Sequence, residues 1–134
     1  MMICVGMELR LIGMNQMKIK VEIADTPSLL AHGLMGRTSL DKSSGMLFKF
    51  QFPIEARFWG KNTYLPLDIA FIHNNAITSI QKIVPMSTKY VHSDGACSMA
   101  IEANAGFFKE HNIDVGHKIR LVNHNNEYQV IFED

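Results

Sequence analysis

Cysteine is nearly absent from this chain. Its 134 residues contain two, Cys4 and Cys97, too far apart for a CxxC or zinc-type pair, so no disulfide framework and no structural zinc site is encoded by spacing. Two free thiols fit a reducing compartment, although a fold that brought them together would let them bridge. An excess of charge of either sign is also missing. Lysine plus arginine equals aspartate plus glutamate at 13 each, and no basic run occurs, which removes the electrostatic footprint of a nucleic-acid or anionic-membrane binder. No apolar run approaches the ~20 residues a spanning helix needs. The N-terminal MMICVGMELRLIGMNQ is interrupted by Glu8 and Arg10 and lacks a basic leader, so it does not read as a secretory signal, and a cytoplasmic location is the matching expectation. There is no GxSxG, no P-loop and no GxGxxG, which argues against a serine hydrolase, a P-loop nucleotide hydrolase and a Rossmann dehydrogenase. The six histidines (His32, His73, His92, His111, His117 and His124) show no HxxxH or HxH spacing. No metal site and no cofactor is expected.

What is present is an ordinary globular composition, 47% apolar and 19% charged, of a length that one domain can use to bury a core. Met14 and Met17 stand just before KIKVEIADT and offer alternative starts. Residues 1–17 therefore read either as a leader left by start-site choice or as an extra strand, Met7 to Ile12, in which Met7, Leu9 and Leu11 alternate with Glu8 and Arg10. Residues 18–134 then form one β-rich domain.

Along that domain, Lys18 to Ile23 alternates strictly and predicts a half-buried strand. Asp25 and Thr26 offer N-cap oxygens and Pro27 suits a first helical turn, so a short helix follows, ended by Gly33 and Gly36. RTSLDKSSG (37–45) is a polar loop. Met46 to Phe50 predicts a strand broken by Phe52-Pro53, and Ile54 to Trp59 another, with Ile54, Ala56 and Phe58 opposite Glu55, Arg57 and Trp59. Leu67 to Ile72 is apolar on both faces except at Asp68. His73-Asn74-Asn75 turns the chain into a partner strand, Ala76 to Val84. Pro85 to Gly95 is a long polar loop of the kind that carries function. Cys97 to Ala103 predicts a strand with Cys97, Met99, Ile101 and Ala103 on one face and Glu102 on the other. A second short helix around Phe107 and Phe108 precedes two final strands. Seven to eight short strands with two short helices predict a mainly β (α+β) fold, a strongly bent sheet or partly closed β-barrel.

Three groups of side chains could carry chemistry. Asp68 among apolar neighbours needs a cation, with Arg37 and Lys61 as candidates, or backbone donors from the Asn62 to Pro66 turn. Glu102 lies similarly in its own strand; if it met Asp68, repulsion would raise one pKa and create an acid/base pair. If each pairs with a cation instead, both are structural. Trp59, Lys61, Asn62 and Thr63 offer a flat apolar ring, an ammonium, an amide and a hydroxyl, which together suit a recognition surface or, alternatively, a packed indole beside a solvated turn. Cys97 shares its predicted face with Met99 and Ile101 and reads as an inert core thiol rather than a nucleophile paired with His92.

VEIADTP (21–27), GLMGRTSL (33–40), GMLFKF (45–50), FWGKNTYLPLDIAFI (58–72) and IEANAGFF (101–108), followed by Ile113 to Gly116, resemble in order and spacing the blocks of the family termed domain of unknown function 192. The resemblance covers about residues 18–122. It implies a compact, mainly β domain of bacteria and archaea, exported or periplasmic in many members, and it implies no activity. Arg37, Trp59, Lys61, Asn62, Thr63, Pro66, Asp68, Glu102, Asn104 and Gly106 match the family's characteristic positions. Gly60 replaces a usual methionine, which implies looser packing beneath Trp59, and His117 replaces a usual aspartate in a turn.

Three functions are consistent with these residues. A binding module would hold a small polar or anionic ligand, or a partner's segment, beside Arg37, Trp59, Lys61, Asn62, Thr63 and Asn104. A hydrolase would use Asp68 and Glu102 as acid and base. An accessory domain would use the same polar groups only to stabilise itself.

Overall fold

Alternation is what closes this fold. A computed structural model describes residues 16–134; a strand at Met7 to Ile12, and Cys4, lie outside the described residues, whereas Met17, counted with the leader from sequence, opens the first strand. Strand β1 (Met17–Ala24) pairs in parallel with β2 (Ser44–Ile54) and antiparallel with the last strand, β9 (Glu127–Glu133). With β4 (Leu67–His73), β5 (Ala76–Ile83), β7 (Cys97–Asn104) and β8 (Lys118–His124) they form a closed barrel in the order β1-β2-β7-β4-β5-β8-β9. The expected bent or partly closed sheet is thus a seven-stranded closed barrel. The ring is weakest between β5 and β8, whose pairing is confined to Ala76↔Lys118.

The inward residues, among them Ile19, Val21, Leu47, Ala70, Ile72, Ile101 and Val130, pack into one core. Helix α2 (Phe107–Glu110) adds Phe107 and Phe108, whose rings lie 5.3 Å apart and 6.4 and 6.1 Å from Phe132. A second core lies on the outer face of β2, β7 and β4, built from Met46, Phe48, Leu67, Ile69, Phe71 and Ala100. Burial on both faces explains why β4 is apolar along its length.

Over this second core lie helix α1 (Pro27–His32) and a two-stranded ribbon, β3 (Arg57–Phe58) with β6 (Val91–His92). Thr26 Oγ1 accepts from the Leu29 amide at 3.2 Å and Gly33 ends the helix, as its capping residues predict. The short ribbon replaces the longer strand expected over Ile54 to Trp59. Its Phe58 ring packs edge-on against Phe48 at 4.9 Å and Phe71 at 5.8 Å. The break expected at Phe52-Pro53 is instead a register shift within one strand: pairing with β7 lapses between Lys49 and Ile54, where Pro53 forfeits no ladder bond. Asn74 and Asn75 adopt left-handed φ of 52° and 60° in the β4–β5 hairpin, as expected for asparagine there.

Candidate functional site

Register decides what the two candidate carboxylates can do. Asp68 pairs with Ala103, and Glu102 pairs with Ile69 on the neighbouring strand and with Met46 on the other side. Directly opposed residues share a face, and successive residues alternate. Asp68 therefore points with Ala70 and Ile72 toward the barrel interior, whereas Glu102 points with Ala100 and Ile69 into the outer layer. The sheet separates them, and they line different cavities. The convergent acid/base pair considered from sequence is not formed.

Asp68 anchors α2. Its Oδ2 accepts the Gly106 amide at 2.8 Å, just before the helix, where Gly106 takes a φ of 89° that favours glycine. The donor is thus neither Arg37 nor Lys61, and it is not the Asn62 to Pro66 turn. Its Oδ1 is enclosed without a partner among the described residues. Arg37 instead grips Glu22 of β1 with two bonds of 2.6 and 2.8 Å, which hold Glu22 below the usual carboxylate range and raise Arg37 in turn. Asn104 Nδ2 donates to the Leu40 carbonyl at 2.7 Å and ties the 37–43 loop to the end of β7. Arg37 and Asn104 are accounted for by the fold's own contacts, and neither lines the cleft described next.

That cleft, about 610 Å³, lies between α1, residues 54–59 and Tyr90, with Glu102 and Thr63 also lining it. Its walls are mostly apolar: Leu30, Ala31, Phe48, Phe50 and Phe58 contribute side chains. Glu102 is 4% exposed and makes no hydrogen bond or ion pair with any described residue. Its oxygens are not among the fully enclosed unpartnered atoms, as Asp68 Oδ1 is, and the side chain borders the cleft. Burial alone pushes its carboxyl up to about 8, so at neutral pH it is chiefly the protonated acid.

The rim is aromatic and charged: Arg57 and Glu55 line it, and Lys61 stands beside it, outside the lining. Continuing the β3–β6 register from Arg57↔His92 and Phe58↔Val91 sets Trp59 against Tyr90, and the two rings stack 4.8 Å apart at 8°. The Arg57 guanidinium sits 4.6 Å from the centre of the Tyr90 ring and the Lys61 ammonium 5.2 Å from that of Trp59. Neither cation has a carboxylate partner at ion-pair distance among the described residues. Sequence reasoning singled out Trp59 and Lys61 but missed Arg57, Tyr90 and the α1 wall; Tyr90 falls in the Pro85 to Gly95 loop that its length had marked.

Backbone contacts fix the turn that carries this rim. Asn62 holds a left-handed φ of 57°, and its carbonyl accepts from Gly36 at 2.9 Å. Thr63 is buried, with Oγ1 donating to the Lys61 carbonyl at 3.2 Å. The Gly60 amide donates to Ser87 at 3.0 Å and the Met86 amide to Thr63 at 3.0 Å. A Cβ at Gly60 would meet the Val84 oxygen at 1.9 Å. Glycine here tightens the approach of two backbones, which reverses the looser packing expected from its replacing methionine.

Cys97 is fully buried in the outer core with Ala100, not beside Met99 and Ile101 as its position had predicted. Burial pushes its thiol up, partly offset by Ser93. His117 sits in the Asp114–His117 turn, where its Nδ1 accepts the Asp114 amide at 3.0 Å. Among the described residues no three His, Cys, Asp or Glu side chains are grouped to hold a metal ion, and no helix is long and apolar enough to cross a membrane.

Known proteins place this geometry in a family. The chain is similar over 77% of its length to the crystal structure of a candidate transcription regulator from Sinorhizobium meliloti 1021, at 32% identity and a TM-score of 0.72, covering 91% of that chain. It is also similar to a protein of unknown function from Novosphingobium aromaticivorans DSM 12444, at 33% identity and a TM-score of 0.72, over 75% of this chain and 73% of that one. No curated protein matches. The family model described as an uncharacterized ACR, domain of unknown function 192, matches residues 10–121, and the chain belongs to that family.

Proposed function

We propose that this protein is a binding module for a small carboxylate with an apolar body. The observation that carries the reading is the cleft itself: a mostly apolar space of about 610 Å³ lined by Arg57, with Lys61 beside it over the Trp59 ring, and with neither cation holding a carboxylate partner among the described residues. Cleft size and mixed lining suit a small organic ligand. The stacked Trp59–Tyr90 pair supplies a rigid aromatic border to the cleft at low entropic cost, and the Arg57 guanidinium that it holds in place gives that border a point of contact for an anion. The name of the Sinorhizobium relative suggests DNA as another partner; a formal net charge of zero argues against it.

Trp59 is the sole tryptophan and reports directly on the site. Titration with octanoate, octanol and octyltrimethylammonium should change its emission, with octanoate bound tightest. Replacing both cations, Arg57→Met with Lys61→Met, should weaken octanoate about tenfold and leave octanol unchanged. Equal binding of octanoate and octanol to the unmodified protein would exclude the reading.

A further inference from the structure

We infer that Glu102 is the hydrogen-bond donor at the floor of the cleft, and that the ligands it selects are N-acylated amino acids. The inference rests on the carboxylate reading above and deepens it: the rim takes the carboxylate, the apolar walls take the acyl chain, and Glu102 takes the amide carbonyl between them.

Glu102 stands in the middle strand of the three that floor the outer layer, flanked by the buried side chains of Met46 and Ile69. It is 96% buried, borders the cleft, and meets no donor, acceptor or cation among the described residues. A buried carboxyl in that position is costly unless something completes it. The titratable groups that share the cleft with it are His32 from α1, Glu55 and Arg57 from the ribbon segment, and Tyr90 from the loop. None of them contributes to holding Glu102 protonated; burial does so alone.

A protonated carboxyl offers one O–H to a neutral acceptor. An amide carbonyl is such an acceptor and carries no charge into the apolar cleft. A cationic ligand would ionise Glu102 favourably, but it would also have to pass the Arg57 guanidinium on the lining. A simple fatty carboxylate satisfies the rim and the walls and leaves Glu102 without a partner. An acyl amino acid satisfies all three.

The test compares N-octanoylglycine with undecanoate, matched in chain length and charge, and with decyltrimethylammonium, by Trp59 fluorescence at about pH 6.5 and about pH 9. At the lower pH N-octanoylglycine should bind on the order of tenfold tighter than undecanoate, and that preference should shrink at the higher pH, where Glu102 loses its proton while both carboxylates keep their charge. Glu102→Gln retains a donor and should keep the preference at both pH values. Glu102→Leu should lose it at both while still binding undecanoate. Equal affinities for the two carboxylates at pH 6.5, a preference that survives in Glu102→Leu, or tightest binding of the ammonium would each overturn the role of Glu102 and leave the rim reading intact or reversed according to which ligand binds. If neither carboxylate binds, the rim reading fails and this inference falls with it.

Discussion

Replacing Glu102 by glutamine should make the protein more stable in alkali and leave it almost unchanged in mild acid. The carboxyl rises from an ordinary 4.5 to about 8 in the fold because burial disfavours its charged form. Between those two values the native protein holds a proton that the unfolded chain releases. Stability therefore falls as pH rises through this window, by up to about 1.4 kcal/mol per pH unit, and this group adds no further change below 4.5 or well above 8. The full fall is about 5 kcal/mol, a shift of roughly 3.5 units at about 1.4 kcal/mol each. That is a large part of the roughly 5–15 kcal/mol that holds a domain folded. Glutamine keeps the shape of the protonated acid and cannot ionise. Urea unfolding followed by Trp59 emission, at intervals from about pH 4 to about pH 9, should give coincident curves for the two proteins at the acid end. At the alkaline end the unmodified midpoint should lie about 2 M lower in urea. Midpoints that run parallel across the whole range would refute the assignment of a buried, unpartnered acid at this position.

Gly60→Ala should cost about 2–3 kcal/mol in denaturant unfolding, because the added Cβ would sit 1.9 Å from the Val84 carbonyl and force the 84–87 segment off the turn; a change under about 0.5 kcal/mol would show that the two backbones are not in contact. Asn104→Ala should cost about 1 kcal/mol through the lost bond to Leu40, whereas Arg37→Ala should cost less than about 1 kcal/mol, since the Arg37 and Glu22 side chains are 38% and 53% exposed. Both variants should bind octanoate as the unmodified protein does, which separates these two residues from the cleft.

Local patterns were legible in the sequence and pairings were not. The alternation of Lys18 to Ile23, the Thr26 cap and the Asn74-Asn75 turn act within a few residues, and each produced the element it predicts. Asp68 and Glu102 looked equivalent because each is a lone carboxylate in an apolar strand. Only the β4–β7 register, a relation between residues more than thirty positions apart, puts them on opposite faces. Trp59 was visible as an unusual residue beside a lysine, but its stacking partner Tyr90 lies in a loop with no periodicity to announce it. Gly60 was misread because composition shows a missing side chain and not the carbonyl that fills its place.

The pairing of β1 with both β2 and β9 sets the order in which this chain can finish folding. Val130 and Phe132 belong to the inner core with Ile19 and Val21, yet more than a hundred residues separate the two strands. During synthesis β1 can find β2 early, but its other edge stays bare and the interior stays open until Glu127–Glu133 has left the ribosome. Such late, distant closure makes slow folding the expectation for this barrel, with a transient strand edge that the finished ring hides.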